Sequence, residues 1–170
     1  MSDGALLKSY ADGNLAAFDC LYRRHKNKLF MYVRRQCPTH ELAEDIAHDT
    51  WLGVIRQSGN YSPSAKFTTW LYRIAHNRLV DLWRKHSAPG YLLIDDLAEQ
   101  LAAKDQSYLA LKELLQSLQA LPETQMEALL LKIEGFSHAE IAAITESKQE
   151  TVKSRLRYAT RSLKSMEVQA

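Results

Sequence analysis

Two runs in this sequence carry side chains whose types and spacing suit contact with nucleic acid. Lys66-Phe67-Thr68-Thr69-Trp70-Leu71-Tyr72-Arg73-Ile74-Ala75-His76-Asn77-Arg78 interleaves aromatic rings with cationic and amide groups, and continues through Asp81 to Arg84-Lys85-His86. Rings beside positive charge offer what a single strand needs, a stacking platform and a track for its backbone. Core packing competes for the same rings, and Trp70 and Leu71 are expected to serve it in part. Tyr61, Lys66, Phe67, Asn77, Arg78 and Arg84 are the better candidates for DNA. The second run holds Lys148, Lys153, Arg155, Arg157, Arg161 and Lys164 against the single acid Glu150, in a chain whose formal net charge is only +2. Such a stripe suits phosphate neutralisation and base-edge contacts. A solvated helix face would have the same composition, so charge alone does not decide.

Capping chemistry decides more. Ser137 and Glu140 have the spacing at which each side chain can bond the other's backbone N–H, and Ser147 and Glu150 repeat it a few residues later. A second helix start that close predicts a short turn between two helices, with Ile141, Ile144, Val152 and Leu156 as their shared seam. That is the helix-turn-helix plan, whose second helix enters the major groove.

Other chemistry finds little support. His40, Glu44 and His48 fall at i, i+4 and i+8 of one helix, a possible ligand face for a metal. The zincin pattern needs His-Glu-x-x-His, and His40-Glu41-Leu42-Ala43-Glu44 lacks the second histidine. No Cys-x-x-Cys pair, phosphate loop or nucleophile elbow is present, so neither an enzyme nor a bound metal or cofactor is expected.

The elements that must position these residues are helices, because apolar side chains recur at helical spacing almost throughout. Leu15, Phe18, Leu21 and Tyr22 form one face, continued by Leu29, Tyr32 and Val33 to a stop at Pro38. Thr39 is a natural N-cap, with Glu41 and Glu44 in the first turn, where carboxylates complement the helix dipole. That helix runs to about Gln57 and places Asp45, Asp49 and Leu52 on one face. A loop over 58–64 precedes a third long helix from about Lys66 to His86. Ala88-Pro89-Gly90 and the acidic residues Asp95, Asp96, Glu99 and Asp105 read as a linker. A helix from Leu109 to Leu118, another with Pro122 at its first position, and two short closing helices follow. The expected architecture is all-α: two small helical bundles, residues 1–87 and 106–170, joined by a linker over 88–105.

At 170 residues the chain has room for one ordinary domain or two small ones. Its only cysteines, Cys20 and Cys37, cannot form a disulfide framework and are expected to be half-buried packing residues. The opening Met1-Ser2-Asp3-Gly4 lacks a basic leader region, and no run approaches the roughly 18 apolar residues of a membrane span. The expectation is a cytoplasmic protein without stable membrane insertion.

These stretches together resemble the extracytoplasmic-function group of bacterial RNA polymerase sigma factors. The likeness is carried, in order, by Ala43-Glu44-Asp45-Ile46, Phe67-Thr68-Thr69-Trp70-Leu71-Tyr72-Arg73-Ile74-Ala75, Leu121-Pro122 and Thr151-Val152-Lys153-Ser154-Arg155-Leu156. It covers about residues 5–86 as region two and 105–165 as region four. The resemblance implies partners: core RNA polymerase through its β′ and β subunits, promoter DNA, and an anti-sigma factor. It assigns Asp45, His48, Asp49, Leu52 and Ile55 to a coiled coil of β′. It assigns Tyr61, Lys66, Phe67, Trp70, Arg73, Asn77, Arg78, Asp81 and Arg84 to the unpaired −10 strand. Thr151, Lys153, Ser154, Arg155, Arg157, Tyr158 and Arg161 fall to the −35 element. Three places depart from the group's pattern. His48-Asp49 stands for Gln-Glu, and Tyr158 and Thr160 stand where arginine is frequent. Thr145-Glu146-Ser147 stands for Leu-Gly-Ile, so Glu146 is expected to hold a strained turn or a different one.

An ordinary helix-turn-helix regulator would account for residues 135–164 but leaves the aromatic-basic helix unexplained. A pure interaction bundle without a DNA role is a further alternative, which a filter-binding test at low salt would expose.

Overall fold

Hydroxyl groups set the starts of several helices in the computed structural model, which describes residues 1–85, 113–114 and 116–169. Ser2 Oγ accepts from the Ala5 N–H at 3.3 Å and opens α1, Asp3–Ala11, an element the hydrophobic spacing does not announce. After Gly13, at φ 104°, comes α2, Leu15–Arg34. Thr39 Oγ1 accepts from the Leu42 N–H at 3.2 Å and opens α3, His40–Gln57, as its sequence predicts. A 3-10 turn over Ser58–Asn60 leads to α4, Phe67–Lys85. In the second half, α5 spans Glu123–Ile133, α6 His138–Thr145 and α7 Gln149–Gln169. Pro122 is the N-cap of α5, one place before the expected first helical position. Its missing N–H is one that no helix start could satisfy internally. The linker expected over 88–105 and most of the helix expected from Leu109 to Leu118 lie outside the described residues, although 113, 114 and 116–119 are helical.

Each helix buries one stripe. α1 packs on α2, α2 on α3 and α3 on α4, while α5 and α6 both pack on α7. Gly53 permits close approach of α3 and α4, since a Cβ there would stand 2.9 Å from Ile74 Cγ2. Leu15, expected on the apolar face of α2, is instead 75% exposed at the first residue of that helix.

The two halves close on one another. α4 packs against α6, and a single cluster of buried apolar residues runs from Leu29, Val33 and Leu79 in the first half to Leu131, Ile141 and Ile144 in the second. Tyr72 bridges them, its ring centroid 4.9 Å from that of Tyr32 and 5.0 Å from that of Phe136. A linker would have allowed open or closed bundles; the described residues are closed. Among them every regular element is helical, as expected.

Candidate nucleic-acid interface

The helix-turn-helix is α6, its turn and α7. Ser137 Oγ accepts from the Glu140 N–H at 3.2 Å, and the Ser137 N–H donates to Glu140 Oε2 at 2.8 Å, completing the expected capping box. The second box, expected from Ser147 and Glu150, does not form. The Ser147 hydroxyl pairs with Thr145 Oγ1 at 2.8 Å, and Glu150 accepts from Lys153 Nζ at 3.0 Å. The reason lies in the turn: Glu146 adopts φ 52°, ψ 42° as C-cap of α6, so α7 starts only at Gln149. A left-handed conformation suits glycine and costs other residues of order 1 kcal/mol.

Val152 and Ala159 form the fully buried face of α7, which turns its cations outward. Lys153, Arg157, Tyr158 and Arg161 are exposed, and Thr151, Ser154 and Arg155 half-buried. The Arg157 guanidinium lies 5.4 Å from the Tyr158 ring centroid, a cation–π contact that orders both groups. Arg157 and Arg161 line one shallow groove with Leu156, Thr160 and Lys164. That face can take an anionic, groove-shaped partner.

On α4, Trp70, Arg73, Asn77 and Arg78 line a second groove, with Ile74 and with Gln57 from the end of α3. Gln57 drew no notice in the sequence because α3 delivers it from outside the motif. Tyr61 packs on Trp70 at 5.3 Å between centroids, and its hydroxyl donates to the Ala65 carbonyl at 2.7 Å, which fixes the loop beside the groove. Lys66, Asp81 and Arg84 are exposed at the two ends of the helix. Phe67 is a correction. It is 2% exposed and packs on His25 and Trp70, so it supports the platform from beneath and offers no ring to a base in this conformation. Its position at the first residue of α4 turns it towards α2, which the linear run did not reveal.

Asp45, His48 and Asp49 are exposed along α3, followed by Leu52, half-buried, and Ile55, 38% exposed. Asp45 and His48 form one wall of a groove whose other wall, Tyr22, Lys26 and Phe30 of α2, the sequence motif did not include. His40 Nε2 lies 3.1 Å from Glu44 Oε1 at the surface. Among the described residues no group of three or more metal-ligating side chains converges, and no helix is long and apolar enough to cross a membrane.

Sequence reasoning missed the polar centre between the halves. Glu127 on α5 is 1% exposed and sits at the junction with α2 and α4. The Tyr32 hydroxyl donates to its Oε1 at 2.6 Å, and His76 Nδ1 lies 2.7 Å from the same oxygen. Burial and the adjacent carboxylate push the Tyr32 phenol well above its ordinary pKa, so it stays a donor. Glu127 occupies a position where helical spacing predicts only a core-facing residue; a carboxylate there, flanked by Met126 and Ala128, was the available signal.

Comparison with known families gives the class. Residues 21–88 match the family described as sigma-70 region 2, and residues 111–163 match sigma-70, region 4. The chain is 36% identical over 142 residues to the RNA polymerase sigma factor CarQ of Myxococcus xanthus, covering 81% of this chain and 82% of the relative. It is 31% identical over 157 residues to the ECF RNA polymerase sigma factor SigM of Mycobacterium tuberculosis H37Rv, covering 91% and 79%. The chain belongs to the ECF group of RNA polymerase sigma factors. It is an alternative sigma factor that directs RNA polymerase, a transcription initiation factor and not an enzyme. Among solved structures, CnrH in complex with the cytosolic domain of CnrY superposes with a TM-score of 0.74 at 25% identity over 96% of each chain. RpoE of Bartonella quintana, solved with the anti-sigma factor NepR, shares the fold at a TM-score of 0.68 and 21% identity, covering 88% of this chain and 95% of that one.

Proposed function

We propose that this sigma factor divides its work between two modules, residues 1–87 and 106–170, joined by a linker over 88–105. The first binds core polymerase and the −10 strand, and the second reads the −35 element. The observation that carries this reading is the groove on α4, which brings Trp70, Arg73, Asn77 and Arg78 together beside Tyr61. An ordinary duplex-binding regulator has no use for an aromatic-cationic groove of this kind, whereas an unpaired strand needs both stacking and phosphate contacts. Extruding a base from the duplex costs a few kcal/mol, which such a groove can offset. Lys66, Asp81 and Arg84 extend the strand surface, with Phe67 as its support.

Asp45, His48, Asp49, Leu52 and Ile55 supply an acidic and apolar edge suited to a helical partner, here the β′ subunit, with β as a further contact. Lys153, Arg155, Arg157, Tyr158 and Arg161 present the major-groove face of α7, with Thr151 and Ser154 toward phosphate and base edges. One good bidentate base contact discriminates by about 1–3 kcal/mol. An anti-sigma factor as antagonist and a cytoplasmic location complete the proposal; the likeness to CnrH, solved with the cytosolic domain of CnrY, supports a protein partner.

The test is run-off transcription with purified core polymerase over promoters varied at −35 and −10. Promoter-specific transcripts that need this protein are expected. Asp45→Ala should abolish them through lost polymerase binding, and Arg155→Ala should change −35 preference. Duplex binding without any transcript would overturn the assignment of α3 and α4.

A further inference from the structure

The rings beside the groove on α4 rest on supports that trace back to α1. Asp3, in the first turn of α1, holds two side chains of α2: Arg24 Nη1 donates to its Oδ1 at 2.8 Å, and His25 Nε2 lies 2.8 Å from its Oδ2. Arg24 Nη1 also donates to the Met1 carbonyl at 3.1 Å. The His25 ring packs on Phe67 at 5.4 Å between centroids, and Phe67 packs on Trp70 at 6.2 Å. Gly4 reaches the same place by another route. A Cβ at position 4 would stand 3.2 Å from the Tyr61 hydroxyl oxygen. That hydroxyl is the group that donates to the Ala65 carbonyl, and the Tyr61 ring packs on Trp70. We propose that α1 is a positioning element of the strand-binding groove, Asp3 acting on Trp70 through His25 and Phe67, and Gly4 setting the place of Tyr61. The proposal rests on the reading of α4 as a strand-binding surface.

A helix that merely covered the bundle would need neither residue. Leu6 and Leu7 are the buried residues of α1 and join the apolar core, while Ser2 caps its start. Asp3 and Gly4 are only half-buried, and they add reach rather than cover. Besides α2, α1 packs on the 3-10 turn over Ser58–Asn60 and on α4. That turn leads straight into Tyr61. The two oxygens of Asp3 each take a different side chain, which fixes the carboxylate and the imidazole ring together. Partly exposed pairs of this kind add little to stability, so orientation is what their loss would change. Burial, and then the Asp3 carboxylate, raise the Tyr61 phenol above its ordinary pKa. Asp3 is therefore felt at Tyr61 as well as at His25, and the phenol stays a donor to Ala65. Glycine at position 4 leaves room for that donor, and a side chain there must displace it.

The experiment uses holoenzyme assembled with purified core polymerase. It reads the anisotropy of two labelled probes from the promoter most active in run-off transcription: a single strand carrying its −10 segment, and a duplex carrying its −35 element. Gly4→Ala and Gly4→Leu bring growing side chains to Tyr61, and both favour a helix over glycine, so the chains are expected to fold. Strand binding should weaken about two- to three-fold for Gly4→Ala and about ten-fold for Gly4→Leu, parts of the stacking that one base contributes. Duplex binding should not change. In a Tyr61→Phe chain, which lacks the hydroxyl, Gly4→Ala should weaken binding no further. Asp3→Ala should weaken strand binding about three- to ten-fold. Asp3→Asn should keep most of it, since an amide accepts from Arg24 and donates to a neutral His25 ring. Unchanged strand binding in Gly4→Leu and Asp3→Ala overturns the proposal. An equal loss on the duplex overturns it too, because the damage would then be general, as does an Asp3→Asn chain as weak as Asp3→Ala. If the unmodified holoenzyme binds the duplex and not the single strand, the reading of α4 itself is overturned, and the proposal falls with it.

Discussion

The Tyr32 hydroxyl donates to Glu127 Oε1 across 2.6 Å, linking two residues 95 positions apart and tying the first half of the chain to the second. Both groups are shut off from solvent, so neither has water as a substitute partner. Tyr32→Phe removes one donor and leaves His76 in place, at a cost of about 1 kcal/mol. Glu127→Ala strands both Tyr32 and His76 in the interior and should cost about 2–4 kcal/mol, or release the modules from one another. Urea unfolding followed by circular dichroism ranks the two variants. An equal loss for both would mean that Tyr32 alone, and not His76, holds the carboxylate.

The Ser137–Glu140 box holds the start of α6, and α6 in turn carries Ile141 and Ile144 into the seam under α7. Ser137→Ala removes the acceptor for the Glu140 N–H and should cost about 1 kcal/mol. Thr39→Ala at the start of α3 should cost a similar amount, because it makes one such bond at the same distance. Thermal unfolding of both variants checks this, and Ser147→Ala should have the smaller effect, since Ser147 does not cap α7.

Burial pushes the Cys37 thiol up to about 12, with Arg34 nearby acting weakly in the opposite direction. Cys20 is only half-buried. Alkylation near pH 8, followed by mass spectrometry, should therefore label Cys20 first and leave Cys37 protected until urea is added, because the thiolate is the reacting species. Simultaneous labelling of both would show that the end of α2 opens in the native state.

These cases separate what the sequence makes legible from what it conceals. Thr39, Ser137 and Glu140 act within one helical turn, so their spacing announces their bonds. The same holds for the outward cations of α7, which are fixed by helical periodicity from Val152 to Arg161. Glu127 and Arg73 meet partners far away in the chain, and no local pattern registers them. Phe67 misled for a related reason: its neighbours in sequence are cationic, but its neighbours in space are His25 and Trp70. Ser147 misled because the spacing of a capping box was present while the left-handed Glu146 displaced the helix start.

Glu140 contributes to stability on the acid side. The hydrogen bond from Lys66, and then that from the Ser137 N–H, hold its carboxyl below the ordinary value, against a smaller opposing effect of burial. A depressed folded pKa means that the unfolded chain binds the proton more readily. The contribution is therefore fully present above the unfolded value, about 4.3, and is lost as pH falls through the lower folded one. Glu140→Gln cannot ionise, yet it keeps an acceptor for the capping box. Its stability should fall less steeply than that of the unmodified chain as pH drops below about 5, with the two curves converging at the acid end. Urea midpoints measured across that range check the sign. A variant curve parallel to the unmodified one throughout would place the acid sensitivity in other carboxylates.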